Sequence, residues 1–372
     1  MACDVVVIGG GVIGLSVARR LAREGLGVTV LERGPCGGEA SWAGAGVLSP
    51  CNPHRDDPVA HWQDRSLALY PAFCHELLDE SGIDPEYDVC GELELAFDEQ
   101  GLGIARSDCA AGSRRQLSDG RPAYALLSRE ETRELEPAVS PEIVGALHVL
   151  ATAQVRNPRL LQALVGACRR YEVDIRENTP VEELMLDGSN VIGVRAAGGE
   201  VVSAGLFVLC GGAWSSQLHP RLESLMPVRP VRGQMILMEL ERRPFQPIIA
   251  RGKTYLVPRR DGHVLLGATE EPDSGYAKRT TAGGIARLTK GGLRLVPSLA
   301  DAPIISTWAG LRPGTPDDLP YLGPVPGFDR LLAATGHFRT GLTMAPGTAE
   351  YIAAIVTGRT YPVDLSGCRP GR

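Results

Sequence analysis

Three glycines near the start of the chain have the spacing of a dinucleotide-binding loop. Gly9, Gly11 and Gly14 follow the β-branched run Val5–Ile8 and open an amphipathic stretch, which predicts a strand, a tight turn and a helix. The helix would direct its N-terminal N–H groups and the positive end of its dipole at phosphates. Glu32 ends the next apolar run, where its carboxylate can accept hydrogen bonds from a ribose diol. The pattern predicts an adenine dinucleotide site and leaves FAD and NAD both open.

A second candidate for chemistry is Arg312, an isolated guanidinium in the apolar run Trp308–Gly314. A buried arginine needs an anionic partner, and its planar fork suits a carboxylate that accepts two parallel hydrogen bonds. That partner is either a substrate carboxylate or one of two aspartates on the following loop, Asp317 and Asp318. The residues alone leave both interpretations open.

Other kinds of site find no support in the sequence. The seven histidines are dispersed and no nucleophile or acid–base constellation is visible, so we predict no catalytic side chain. Nine scattered cysteines without a Cys-x-x-Cys motif predict reduced thiols and no metal site. A net charge of -6 argues against nucleic acid as a partner, and no apolar stretch is long enough to span a bilayer. With no signal peptide visible, we expect a cytoplasmic protein.

An α/β scaffold is needed to hold these residues. Its first unit has a helix over residues 12–24 between the apolar runs Val5–Ile8 and 28–31, which is the pattern of a βαβ unit. Segments of the same type recur later: a helix at 159–171 and strands at 173–176 and 204–210. Alternating strands punctuated by proline lie between these segments, among them a hairpin of 255–257 with 264–267.

This interleaving predicts the α/β class and two domains. The first is a discontinuous Rossmann-like nucleotide-binding domain made of residues 1–85, 145–220 and 305–372. The second is a substrate domain rich in antiparallel sheet, made of residues 86–144 and 221–304.

A stretch of small residues follows the nucleotide unit: ASWAGAGV at 40–47 would let the backbone pass close to an extended ligand. Together with WAGLRPGT at 308–315 and TGHFRTGL at 335–342, it makes the chain resemble the D-amino acid oxidase superfamily. Within the superfamily it is similar to the glycine oxidase (ThiO-type) branch, which is associated with thiamine synthesis. The resemblance covers nearly the whole chain and is loose over 50–150. It implies that the dinucleotide is FAD, held by the Rossmann-like domain.

The resemblance also implies which residues surround FAD. Val12 and Ile13 would lie on the pyrophosphate. Glu32 and Arg33 would hold the adenosine ribose. The stretch 337–343 would wrap the pyrimidine edge of the flavin, where N–H groups at a helix start stabilise negative charge. The whole implied cofactor set is Gly9, Gly11, Val12, Ile13, Gly14, Glu32, Arg33, Ala40, Ser41, Ala45, Gly46, Val47, Val181, Gly211, His337, Phe338, Arg339, Thr340, Gly341, Leu342 and Thr343.

For the substrate, the resemblance implies that Arg312 binds its carboxylate with the help of Tyr255, and that Arg339 meets the substrate or a flavin carbonyl. The alternatives are a core tyrosine at 255 and a surface arginine at 339. The implied reaction is oxidative deamination of glycine, sarcosine or small D-amino acids to a 2-oxo acid, ammonia and hydrogen peroxide. FAD would carry the redox step, while the protein supplies positioning, electrostatics and exclusion of water.

Two local features qualify the resemblance. Related sarcosine oxidases attach their flavin to a cysteine near the segment that corresponds to 308–315, but this chain has no cysteine between 211 and 367. We therefore predict noncovalent FAD. Glu270 stands where some glycine oxidases have an apolar residue. It could bind a substrate ammonium if it faced the flavin, but we expect it to face water.

Three other functions remain as alternatives. A D-amino acid dehydrogenase of the same fold would pass electrons to an acceptor other than oxygen. A flavin-binding protein without turnover could serve as a partner subunit. An NAD-dependent dehydrogenase is disfavoured by the segments at 40–47 and 335–343. For the leading interpretation we expect a small amino acid and molecular oxygen as partners, no nucleic acid and no membrane, and we leave a homo-oligomer open.

Overall fold

Helices and strands are interleaved along the chain in the computed structural model, which describes residues 3–117 and 119–372. The helices are α1 (Val12–Arg23), α2 (Ala40–Ala43), α3 (Pro58–Ala68), α4 (Tyr70–Ser81), α5 (Glu99–Ala111), α6 (Arg129–Leu135), α7 (Asn157–Arg170), α8 (Pro220–Leu225), α9 (Ala282–Leu295) and α10 (Gly341–Val356). The strands are β1 (Val5–Ile8), β2 (Val28–Leu31), β3 (Val47–Leu48), β4 (Glu92–Ala96), β5 (Tyr124–Ser128), β6 (Gly145–Val149), β7 (Ala153–Gln154), β8 (Asp174–Arg176), β9 (Val181–Asp187), β10 (Asn190–Ala196), β11 (Val201–Val202), β12 (Leu206–Leu209), β13 (Arg229–Glu239), β14 (Ile248–Arg251), β15 (Thr254–Pro258), β16 (His263–Gly267), β17 (Ile304–Gly314), β18 (Tyr321–Pro324) and β19 (Leu331–Thr335).

A six-stranded sheet forms around the predicted βαβ unit, in the order β18-β19-β12-β1-β2-β8. The strands are parallel except for β18, which runs antiparallel to β19. The predicted strands at 5–8 and 28–31 are confirmed, and the helix between them ends at Arg23. All four residues of β1 are buried because the strand is central and both faces of the sheet are covered.

Helices cover one face of this sheet, and a small three-stranded sheet of β9, β10 and β11 lies on the other side of it. Leu15 and Leu21 of α1 and Leu164 of α7 are fully buried in the helical layer. Each such side chain contributes roughly 2 kcal/mol through burial. With both faces covered, the carboxyl ends of the parallel strands are where a ligand can bind.

The second sheet has eight strands in the order β17-β13-β16-β15-β14-β4-β6-β5. Neighbouring strands are antiparallel apart from the parallel pair β14 and β4. The predicted hairpin is confirmed as β15 and β16, with Tyr255 paired to Gly267. Strands β13 and β17 pair over most of their length, from Arg229 with Gly314 to Met238 with Ile304. This long pairing carries β17, and with it Arg312, towards the first sheet.

Two strands at the predicted domain boundaries belong to the eight-stranded sheet. Strand β6 was assigned to the nucleotide-binding range 145–220 but pairs with β4 and β5. Strand β17 overlaps the range 305–372 but pairs with β13. The local pattern does not show these pairings because their partners lie tens of residues away in sequence. The division into two domains itself stays a prediction.

Candidate active site

The glycine loop lies at the carboxyl end of β1, and two of its glycines are required by packing. Gly9 has a φ of +110°, and a Cβ there would come within 2.5 Å of the Cys210 carbonyl oxygen. A Cβ on Gly14 would come within 1.9 Å of the Gly9 carbonyl oxygen, so α1 can approach the loop only without a side chain. A Cβ on Gly11 would meet only the Ser41 hydroxyl, at 3.2 Å. Gly11 therefore leaves the backbone accessible beside the N-terminus of α1, as a phosphate site requires.

Glu32 directly follows β2 and is held by the same loop. Its carboxylate accepts hydrogen bonds from the Gly10 N–H at 2.6 Å and the Gly34 N–H at 3.1 Å. Arg33 beside it stacks on the ring of Trp214, 3.4 Å from the ring centre. A fixed carboxylate and a stacked guanidinium thus lie together at the end of β2. No local pattern marks Trp214 as the partner of Arg33.

The small-residue segment 40–47 is held against the glycine loop by side chains from other segments. Asn157 Nδ2 donates to the carbonyl oxygens of Ser41 and Gly44, at 2.8 and 2.9 Å. Arg259 Nη2 donates to the Ala45 carbonyl oxygen at 2.8 Å. Arg259 is buried, and this burial lowers its pKa to about 10. These bonds hold the segment as one wall of a cavity.

The role of these two side chains as braces could not be predicted from the sequence. Asn157 is the first residue of α7, and its side chain does not cap that helix but binds the 40–47 segment. Arg259 lies in a hairpin with ordinary turn residues, where no local pattern marks it. Both contacts are long-range and become visible only in the folded chain.

The loop between β19 and α10 forms the wall that was predicted to meet the flavin. His337 is buried, its Nε2 lies 3.0 Å from the Thr348 hydroxyl, and burial lowers its pKa to about 3. The ring is therefore neutral over the physiological range. Helix α10 starts at Gly341, and the N–H groups of its first turn have no acceptor within the helix itself. The positive electrostatic potential at this wall of the cavity therefore comes from the N-terminus of α10 and not from a charged histidine.

Arg312 lies on β17 above a glycine of the neighbouring strand. A Cβ on Gly233 would come within 2.4 Å of Arg312 Nη1, so the guanidinium occupies the space of the missing side chain. Its Nη1 donates to the Thr269 carbonyl oxygen at 3.2 Å. The alternative partner Asp317 is taken by Arg372, at 2.8 Å. Among residues 3–117 and 119–372, no carboxylate lies within 4 Å of the Arg312 guanidinium.

Tyr255 on β15 shares the cavity with Arg312. Burial raises the pKa of its phenol, and the positive charge of Arg312 only partly offsets this. The hydroxyl therefore stays protonated and can donate a hydrogen bond. Its contact in the structure is the Met235 sulfur, 3.8 Å away. Because sulfur is a weak acceptor, the Tyr255 hydroxyl can donate instead to a stronger acceptor such as a carboxylate.

Glu270 does not face water as expected. Its side chain is 21% exposed and lines the cavity because two cations hold its carboxylate there. Lys253 Nζ lies 2.7 Å from one carboxylate oxygen, and Arg339 pairs with the other. Arg339 therefore lines the cavity with its guanidinium paired to a carboxylate of the protein, and its contact with substrate or flavin stays a prediction.

A further acidic side chain, Glu92, lines the same cavity and was not singled out from the sequence. It accepts a hydrogen bond from the Thr152 hydroxyl at 3.2 Å, and burial raises its pKa to about 7. Glu92 and Glu94 alternate with leucines along β4, a pattern that is equally typical of a strand with one face in water.

One cavity of about 850 Å³ lies between these segments. The glycine loop, Glu32 and the 40–47 segment line it, and so do Arg312 and Tyr255. Of the predicted cofactor and substrate residues, Gly14 alone lies outside the lining, because its part is to let α1 pack. The volume lies within the range of sites for cofactors and drug-sized ligands. Two helix N-termini and a ribose-type carboxylate fit an adenine dinucleotide.

The family assignment follows from comparison with known proteins. Residues 4–355 match the family model described as FAD dependent oxidoreductase (DAO). The chain belongs to this family. Its cofactor is therefore FAD, and the fit of the cavity to a dinucleotide agrees with that assignment.

Individual relatives are similar over almost their whole length. Glycine oxidase from Pseudomonas aeruginosa is 40% identical over 98% of both chains. The crystal structure of glycine oxidase from Geobacillus kaustophilus matches with a TM-score of 0.92 and 30% identity, over 99% of this chain and 98% of that one. That of iminodiacetate oxidase from Chelativorans sp. BNC1 matches with a TM-score of 0.89 and 29% identity, over 99% of each chain. The predicted α/β fold and the resemblance to glycine oxidases are confirmed.

Other expectations concern metal, thiols and membrane. In the described ranges, no group of three or more His, Cys, Asp and Glu side chains is placed to hold a metal ion. All nine cysteines lie within these ranges and are free thiols. No helix in this part of the chain is long and apolar enough to cross a membrane.

Proposed function

We propose that the protein is a glycine oxidase, which deaminates glycine and other small amino acids such as sarcosine and small D-amino acids. The observation that carries the proposal is Arg312, which lines the FAD cavity beside Tyr255 without a carboxylate partner among the described residues. A carboxylate of the substrate is the anion that suits an unpaired guanidinium fork. The similarity to glycine oxidases supports a small amino acid as the molecule that carries this carboxylate.

Binding would start at the carboxylate. Arg312 offers two parallel N–H donors, and Tyr255 adds a hydroxyl donor because its raised pKa keeps it protonated. Fixing the carboxylate at one point orients Cα and the amine against the cofactor, which removes most of the entropic part of the barrier. The amine reacts as the neutral base, since its lone pair forms the C=N bond as the Cα hydrogen leaves with its electron pair.

FAD, when bound, would supply the redox chemistry, as an acceptor for the Cα hydrogen with its two electrons and a donor of electrons to oxygen. The N–H groups at the start of α10 would stabilise negative charge on a flavin held there, and His337 would contribute no charge because its pKa is about 3. The imine is hydrolysed after release. For glycine the balance is glycine, oxygen and water going to glyoxylate, ammonia and hydrogen peroxide.

Three finer points belong to the same proposal. FAD is bound noncovalently, oxygen is the electron acceptor, and the reaction serves thiamine biosynthesis, as in the branch that the sequence resembles. The individual cofactor contacts of the residues that line the cavity are proposed on the same basis, with the lining itself as support.

Anaerobic mixing with a panel of amino acids tests the function. We expect glycine, sarcosine and D-alanine to bleach the flavin absorbance, and admission of air to yield hydrogen peroxide. Bleaching by none of the small amines would contradict the proposal. Bleaching without peroxide would favour the dehydrogenase, and a flavin spectrum that no amine changes would favour a binding protein without turnover.

A further inference from the structure

Three charged side chains from separate segments meet at the cavity. Glu270 follows β16, Lys253 lies in the turn between β14 and β15, and Arg339 lies in the loop before α10. Lys253 Nζ is 2.7 Å from Glu270 Oε1, and Arg339 Nη2 pairs with Glu270 Oε2. All three line the cavity that also contains Arg312. One carboxylate thus bridges two cations beside the proposed substrate site.

The three side chains differ in how far they are exposed to solvent. The side chains of Lys253 and Arg339 are 68% and 50% exposed, whereas that of Glu270 is 21% exposed. Burial would raise the pKa of Glu270, but hydrogen bonds from Lys253 and Arg339 outweigh it and lower the pKa. The carboxylate is therefore anionic at neutral pH. Exposed ion pairs of this kind contribute little to folding, so the cluster is free to serve binding.

We propose that Glu270 is a specificity-determining residue whose carboxylate takes the place that a second anionic group of a substrate would occupy between Lys253 and Arg339. This inference rests on the proposed function, in which Arg312 takes the α-carboxylate. An amino acid with one carboxylate then needs nothing from the cluster. A dianionic amino acid would have to displace Glu270 from both cations before its second carboxylate could bind.

Removing the charge of Glu270 while keeping its shape tests the idea. In Glu270→Gln, Lys253 and Arg339 lose their common anion and become available to a substrate. We expect kcat/KM for iminodiacetate to rise by about tenfold relative to that for glycine, which corresponds to about 1.4 kcal/mol. The additional substitution Arg339→Gln should remove most of that gain, because it deletes one of the two cations.

The neighbouring glutamate provides a matched control. Glu271 pairs with Arg232, accepts a hydrogen bond from Gln234 at 2.7 Å and does not line the FAD cavity. Glu271→Gln removes the same charge one residue further along the chain. The ratio of the two kcat/KM values should then stay at the wild-type value. An equal change in Glu271→Gln would mean that overall charge, and not the cluster, sets the preference, which would overturn the proposal.

A binding measurement separates this inference from the proposed function. Acetate and malonate, which cannot be deaminated, are titrated into the FAD-loaded protein while the flavin absorbance is followed. We expect Glu270→Gln to bind malonate about tenfold more tightly than the wild type does, with acetate unchanged, whether or not any amine is turned over. Unchanged malonate affinity would overturn the inference. So would a loss of glycine turnover without any gain for dianions, which would assign Glu270 to the substrate ammonium.

Discussion

At the scale of single residues, Gly233 sets the position of the Arg312 guanidinium. The arginine lies across β13 where a Cβ of Gly233 would be, 2.4 Å from Nη1. Gly233 pairs with Gly310 of β17, so neither strand carries a side chain at this position of the sheet. The absence of side chains leaves room for the guanidinium at the cavity.

Gly233→Ala should therefore displace Arg312 without unfolding the protein, because the clash is with the far end of a flexible side chain. We expect KM for glycine to rise by about tenfold or more, with a smaller change in kcat, since the lost interaction is one of carboxylate binding. Gly283→Ala is the control: Gly283 lies in α9 with no atom within 4 Å of an added Cβ. Steady-state kinetics with an unchanged KM in Gly233→Ala would show that the glycine does not determine the arginine's position.

The residue types of the site could be predicted from the sequence, but their partners could not. An arginine alone in an apolar run signals an anion, and the motif around Arg312 suggests which anion it is. The contacts of these residues cannot be predicted in the same way, because no local pattern shows that Gly233 lies beside Arg312 or Lys253 beside Glu270. The expectation that Glu270 faces water fails for this reason: its two partners lie 17 and 69 residues away.

At the scale of elements, the cavity depends on how the 40–47 segment is braced. Helix α2 and strand β3 in this segment are only 4 and 2 residues long, so they have little stability of their own. Asn157, at the start of α7, supplies two hydrogen bonds to the backbone of this segment, at Ser41 and Gly44. A long helix thus holds a short segment in place.

Asn157→Ala should weaken FAD binding. The substitution leaves the carbonyl oxygens of Ser41 and Gly44 without this donor, at a cost of about 1–3 kcal/mol for a buried group. We expect the Kd for FAD, measured by fluorescence titration of the apoprotein, to rise by about tenfold. Asn52→Ala, at an exposed position, should leave it unchanged. Equal affinity in Asn157→Ala would mean that the segment keeps its shape without this brace.

Elements with local signals were predicted better than those with distant partners. The first βαβ unit is nearly as expected because buried strands, glycine turn and amphipathic helix all lie within 28 residues. Strands β6 and β17 lie at the edges of the predicted nucleotide-binding ranges but join the other sheet, because their places depend on β4 and β13, far away in sequence. Long-range pairing, not propensity, decides which sheet such a strand joins.

At the scale of the molecule, two sheets share one cavity of about 850 Å³. The six-stranded sheet contributes the glycine loop and Glu32, and the eight-stranded sheet contributes Arg312 and Tyr255. Neither sheet alone provides both the dinucleotide site and the proposed carboxylate site. The proposed oxidation therefore requires that the two remain packed together.

Noncovalent FAD is a prediction about the whole molecule. Cys210 lines the cavity at the glycine loop, and the next cysteine along the chain is Cys368. Burial raises the pKa of both thiols, which disfavours the thiolate that a flavin link would need. We expect acid precipitation to release all FAD and mass spectrometry to give the mass of the unmodified chain. A species heavier by one flavin would contradict this.

In the proposed reaction, Arg312 binds the carboxylate of an amino acid beside FAD. Anaerobic reduction of the flavin by increasing glycine tests it most directly. The claim predicts saturable reduction in the wild type and an apparent Kd about 100-fold higher in Arg312→Ala, from loss of about 3 kcal/mol of charge-assisted hydrogen bonding. Arg372→Ala, which removes the partner of Asp317, should reduce like the wild type. An unchanged glycine dependence in Arg312→Ala would contradict the claim.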